Sequence, residues 1–335
     1  MSARAGSARA RLALAVSFTA AAVLVVALGG SSEAERRAPG RVAATAAPVA
    51  PSCRFEPGET AAFRLESTVR DVRGEEEDHL RGTLSWQVVE QLSASRWRLR
   101  AALSDVSQSQ TLTLPEERAR GPLTDPFFVD VDASCRFVGF GFARDWDARR
   151  RQLVQTTLLT HEFVLPPTGR TRGWSATQTD GLGPFAASYA MTSRARGPAL
   201  HIERRKAAYD GQGAAALGLA IVVLGSEATA SFDRERPAWM TATSGLERVQ
   251  VRVQGEVAAD LIQRFSLTRD DERFVAMRAV APADADFRNA FDLEVQRDQA
   301  VDARMAQMSY EDALQAFLGR FGGTGDPSYA AAREL

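Results

Sequence analysis

The stretch CRFVGFGFARDWDARRRQLVQTTLLTHEFVLPP, Cys135 to Pro167, changes its hydrophobic period in mid-course. Phe137, Val138, Phe140 and Phe142 make an aromatic-rich strand. From Asp145 onward Trp146, Arg150, Leu153 and Thr157, with Leu158 beside it, recur at three and four, the period of a helix. Asp145 is placed to cap that helix, and Pro166-Pro167 ends it. The reading is one amphipathic helix, Asp145 to Leu165, embedded between strands.

Strand signals surround it. Upstream, Ala61, Phe63, Leu65 and Val69 share one face; Leu80, Leu84, Trp86 and Val88 form a second stripe; Trp97, Leu99, Ala101 and Leu103 form a third. Such alternation marks antiparallel strands with one wet face. Pro115 to Pro126 reads as a loop. Downstream, Trp174–Thr179 and Phe185–Thr192 flank the turn Asp180-Gly181-Leu182-Gly183-Pro184. Ala214–Gly225 is too short to span a bilayer, and Ile221, Val222 and Val223 favour a buried strand running on to Asp233. Trp239–Ser244 and Leu246–Val253 follow as strands. Leu261, Phe265 and Leu267 pair with Phe274–Val280 as a hairpin around Asp270-Asp271-Glu272.

Beyond Pro282 the composition turns to helix formers. Phe287, Phe291 and Val295 stand near helical spacing, and Tyr310, Leu314, Phe317, Leu318 and Phe321 form a helical stripe. Ser309 with Asp312 resembles a capping box, and Gly322-Gly323 closes the helix. Asp326-Pro327 opens another, so 283–335 reads as a helical segment, the start of a truncated array. The fold class is therefore mainly β, an antiparallel barrel or strongly curved sheets over 53–282. The embedded helix and the C-terminal helical segment make it α+β.

At the other end, Leu12–Leu28 is uncharged and apolar, preceded by Arg4, Arg9 and Arg11. As a helix it spans about 25 Å, against a hydrocarbon core of about 30 Å. Residues 1–30 read as a signal peptide, cut near Ala27-Leu28-Gly29, or as an uncleaved anchor to the inner membrane. Residues 31–52, rich in alanine and proline, read as a tether that cannot bury enough surface to order itself. Either reading places the folded part outside the cytoplasm and brings it close to a membrane.

Composition and motifs narrow the function. Net charge is −1, so no electrostatic case exists for nucleic acid. Lys206 is the single lysine among 41 basic residues, an arginine bias that makes Arg149-Arg150-Arg151 and Arg204-Arg205-Lys206 read as solvated faces. Cys53 and Cys135 read as one disulfide in an oxidising compartment, closing a loop worth at most about 4–5 kcal/mol by chain entropy, or else as two buried thiols. Neither cysteine has a ligand at metal spacing. His79, His161 and His201 stand alone, with His161 on the polar side of its helix. No nucleophile elbow is present, and Gly211-Gln212-Gly213 lacks the strand–turn–helix context of a dinucleotide loop. Asp130 and Asp132 share a wet strand face, too few carboxylates for calcium. No catalytic, metal or cofactor site is read. Phe137, Phe140, Phe142 and the helix residue Leu153 are the candidate lining of an apolar site, or pack on each other as ordinary core.

Phe55-Glu56-Pro57-Gly58 leading into Ala61-Ala62-Phe63-Arg64-Leu65, a helix enclosed by strands, and a turn to helices after Ser309 together resemble the N-terminal β-barrel module of large lipid transfer proteins, the vitellogenin-like family. The resemblance covers Cys53–Leu335 and carries over no individual functional residue. It implies lipid binding or transfer, or receptor contact by the barrel. The expectation is a non-enzymatic exported module for lipid or another apolar ligand. The alternative is a cell-envelope structural or protein-interaction domain with a filled core.

Overall fold

The computed structural model describes residues 52–74, 77–112, 122–166, 172–192, 199–210, 219–233 and 239–289. The signal or anchor segment, all but the last residue of the tether, and the helices expected beyond 289 lie outside the described residues. Five strands come first: β1 (Thr60–Asp71), β2 (Glu77–Ser93), β3 (Arg96–Ser109), β4 (Phe127–Asp132) and β5 (Phe137–Ala143). Helix α1 (Ala148–Thr160) follows. Then come β6 (Gly173–Asp180), β7 (Gly183–Met191), β8 (Ala199–Tyr209), β9 (Leu219–Asp233), β10 (Met240–Val253), β11 (Glu256–Arg269) and β12 (Ala285–Asn289).

All twelve strands form one antiparallel sheet, in the order β12-β5-β4-β3-β2-β1-β11-β10-β9-β8-β7-β6. It consists of two meanders, β1–β5 and β6–β11, joined edge to edge where β1 pairs β11 from Phe63↔Arg269 to Asp71↔Leu261. Among the described residues the sheet does not close by strand pairing: β12 and β6 are its two edges. It is nevertheless rolled. The Glu162 carboxylate accepts from the Phe137 N–H of β5 at 2.6 Å and from Gln178 Nε2 of β6 at 2.6 Å. Those strands stand ten places apart in the sheet, roughly 48 Å if it were flat. Strongly curved therefore describes the fold, with α1 inside the curve.

Several local expectations are corrected. The helix begins at Ala148 with Asp147 as its cap, whose side chain accepts from the Arg150 N–H at 2.7 Å. Asp145 is held in a turn, because the Trp146 N–H donates to Ala143 O. The expected strand Phe274–Val280 has no regular pairing. Both edges of β11 are already taken by β1 and β10, and the segment runs over β2 and β3 instead, with the Val275 N–H on Ser85 Oγ. Ala285–Asn289, expected at the head of the helical segment, is the edge strand β12 on β5. There Phe287 packs on Phe128, and the Arg98 guanidinium covers its ring. Ile221, Val222 and Val223 do lie on a strand but are only half-buried, and Leu224 is exposed. The two strands read around Leu246 are one continuous strand, β10. Asp130 is buried and pairs with Arg96 and Arg98 rather than facing water.

Candidate functional site

The interior face of the rolled sheet carries three layers. At one end β1–β5 contribute Phe63, Leu84, Trp86, Leu99, Val131 and Phe140 to the main apolar core, and Phe185, Ile202 and Phe232 join it from β7–β9. At the other end Val249, Val251, Ala259 and Leu261 form a smaller cluster. Between them lies a charged layer. Leu200, Ile202, Arg204 and Lys206 alternate on the buried face of β8, so the run read as solvated places two cations inside and only Arg205 outside. Arg150 and Arg151 are likewise buried, paired with Asp125 and Asp286, while Arg149 is exposed.

Arg204 has no solvent exposure at all. Its guanidinium donates to Glu162 O at 2.7 Å, Thr160 O at 3.1 Å and Glu247 Oε1 at 3.1 Å. The two carbonyls lie at the C-terminal end of α1, where a cation balances the negative end of the helix dipole. Lys206 Nζ contacts the carboxylates of Asp180 and Glu247, and Tyr209 OH donates to Asp180 at 2.7 Å. The layer is thus neutral: two cations face two carboxylates, with every charge paired as burial demands.

Beside this layer is a partly open cavity of about 60 Å³. Its floor is α1 and the residues after it, Leu158, His161, Glu162 and Phe163. Its walls are side chains of β1–β5 and of β11, together with Phe232, Trp239 and Met240. A strap, Cys53–Gly58, crosses the top. Phe55 sits edge-on to Trp97 at 5.8 Å and to Trp239 at 4.9 Å, bridging β3 and the start of β10. The strap is tied down by a disulfide between Cys53 and Cys135, and both cysteines line the cavity.

His161, expected on a polar helix face, is buried. Its Nδ1 lies 2.8 Å from Thr157 O and its Nε2 3.3 Å from Ser266 O. Burial pushes the imidazole down to about 4, and the Arg204 charge adds to that effect. A neutral ring has one N–H, and the shorter contact assigns it to Nδ1. Burial pushes the Glu162 carboxyl up, opposed by its two hydrogen bonds. Glu162 is the stitch at the seam where the sheet does not close. Arg136 adds a bond to Thr177 O at 2.7 Å, and Leu165 donates to Ser134 O at 2.7 Å.

Of the four candidate lining residues, Phe137 faces the cavity. Phe140 and Phe142 stack on each other at 6.2 Å, and Phe142 continues to Phe127 and Trp146, all within the packed core. Leu153 is half-buried against that core. Sequence reasoning missed Phe55, Trp86, Phe232, Trp239 and Met240, which come to the cavity from widely separated strands. Among the described residues no group of three or more His, Cys, Asp or Glu is placed to hold a metal, and no helix is long and apolar enough to cross a membrane.

No protein-family model and no curated protein matches the chain. Among solved structures it is similar to one described as lipid–protein interactions in lipovitellin, at 12% identity and a TM-score of 0.49. The match covers 68% of this chain and 27% of that one, so the chain spans well under half the length of the structure it matches.

Proposed function

We propose that the chain is a non-enzymatic, exported binding module for lipid or another apolar ligand, taken up inside the rolled sheet. The observation that carries this reading is the cavity. Protein interiors leave few voids larger than a water molecule. Here one of about 60 Å³, walled almost wholly by aromatic and aliphatic side chains, sits where strap, helix and both meanders meet. Ligand pockets usually measure roughly 300–1,000 Å³. The resting cavity therefore takes the end of a chain, and deeper entry requires Phe55 or the half-buried Met240 to move. The small volume also favours the second reading, a packed structural or protein-interaction domain of the cell envelope. The disulfide supports an oxidising compartment. The apolar N-terminal run supports export and nearness to a membrane.

The test is titration of the delipidated full-length chain with Nile red, an uncharged fluorescent probe. Saturable uptake, competed by an unlabelled apolar molecule, is expected. Absence of saturable uptake leaves the packed-domain reading.

A further inference from the structure

The apolar cavity has a wall with a lopsided charge inventory. Among the described residues, 17 line it; none of these is lysine or arginine, and Glu162 is their one carboxylate. Arg136, whose charge reaches Glu162 from outside the wall, donates to Thr177 O, and the interior cations are committed too. Arg204 holds two carbonyls and Glu247, while Lys206 holds Asp180 and Glu247. His161, on the same wall, is kept neutral by burial. An anionic headgroup drawn inside would lose its water, meet no uncommitted cation among the described residues and approach a carboxylate. A charge buried without a partner is strongly disfavoured. The indole rings of Trp86 and Trp239, also on the wall, present apolar surface and one N–H each, chemistry suited to hydrocarbon and to an uncharged oxygen.

We infer that the cavity selects uncharged apolar molecules, such as hydrocarbon chains and long-chain alcohols or esters, and excludes fatty-acid carboxylates and other anionic amphiphiles. This rests on the apolar-ligand reading above and names its ligand class. It follows from which charges are absent from the described wall and which nearby ones are already bonded.

The experiment displaces Nile red from the full-length, oxidised chain at pH 8 with two probes of equal length, 1-decanol and decanoate. Decanol is expected to compete at a concentration at least about tenfold lower, a difference of about 1.4 kcal/mol. Equal competition would show that the headgroup stays outside, overturning the selectivity while leaving apolar binding intact. Failure of Nile red and of both competitors to bind would remove the apolar-ligand reading itself, and the ligand class with it. A second variant guards the inference. Met240→Lys places a cation at the wall from a half-buried position, and decanoate should gain about tenfold while decanol does not. A Met240→Lys protein that stays folded by circular dichroism, yet leaves the decanol preference unchanged, counts against charge as its origin.

Discussion

Arg204 and Lys206 show what a period-two reading yields when it is applied to charges as well as to apolar residues. Both stand on the face of Leu200 and Ile202, so their burial was legible in the spacing; composition hid it, because arginine abounds in this chain. Their partners were not legible, since Glu247 and Asp180 reach them only through pairings across β6–β10. Replacing Arg204 by methionine leaves Glu247 with a reduced set of partners and two carbonyls of the α1 terminus unserved. We expect a loss of about 3–5 kcal/mol in urea unfolding. His161 gives a pH dependence. Its folded-state pKa is depressed to about 4, so the unfolded chain binds the proton first, near 6.5. Its contribution is fully present above about pH 6.5 and is lost as pH falls toward 4, on the order of 3 kcal/mol in all. Glu162, with its raised carboxyl, acts in the opposite direction as pH falls. A His161→Gln protein should lose less stability between pH 7 and pH 5 than the parent; equal losses would exclude His161 as the source.

At the scale of elements, strands and helix were legible where one period ran long enough. The stripes of β1, β2 and β3 and the β6–β7 hairpin stand where alternation places them. Errors came at short segments whose fate depends on a free edge. Ala285–Asn289 is a strand because β5 offered one, and Phe274–Val280 is not because β11 offered none. The α1 cap moved by two residues because Asp145 and Asp147 carry the same side chain and only the preceding turn distinguishes them. Asp147→Ala should lower stability by about 1 kcal/mol. Gly245 in β10 faces the Phe265 ring, which a Cβ would strike while also crowding Ala228. Gly245→Ala should therefore cost about 1–3 kcal/mol by overpacking, visible as a lower midpoint in thermal melts.

For the molecule as a whole, the antiparallel β class could be read from the sequence, and the rolling of the sheet could not. Rolling depends on Glu162 and the residues after it reaching two strands at opposite ends of the sheet order, a relation no local pattern encodes. The cavity was out of reach for the same reason: its wall draws residues from many strands as well as from the Cys135–Pro167 stretch, and of the four candidate lining residues only Phe137 faces it. The cysteine pair, by contrast, was read from two residues alone as a bridge or as two buried thiols, and the structure forms the bridge. Cys53→Ala with Cys135→Ala should cost about 2–4 kcal/mol, measured by denaturant unfolding of the full-length chain.

That same bridge determines how the protein carries mechanical load. When the chain is pulled from both ends, tension arriving at Cys53 passes straight to Cys135, and residues 54–134, the whole of β1–β4, are bypassed. Those strands sit in the middle of the sheet, where β1 joins the two meanders, so force bypasses β1–β4 and enters through β5 and the later strands, β11 included. Reduction returns residues 54–134 to the force path. In single-molecule stretching, the reduced protein should extend further than the oxidised one by roughly 280 Å.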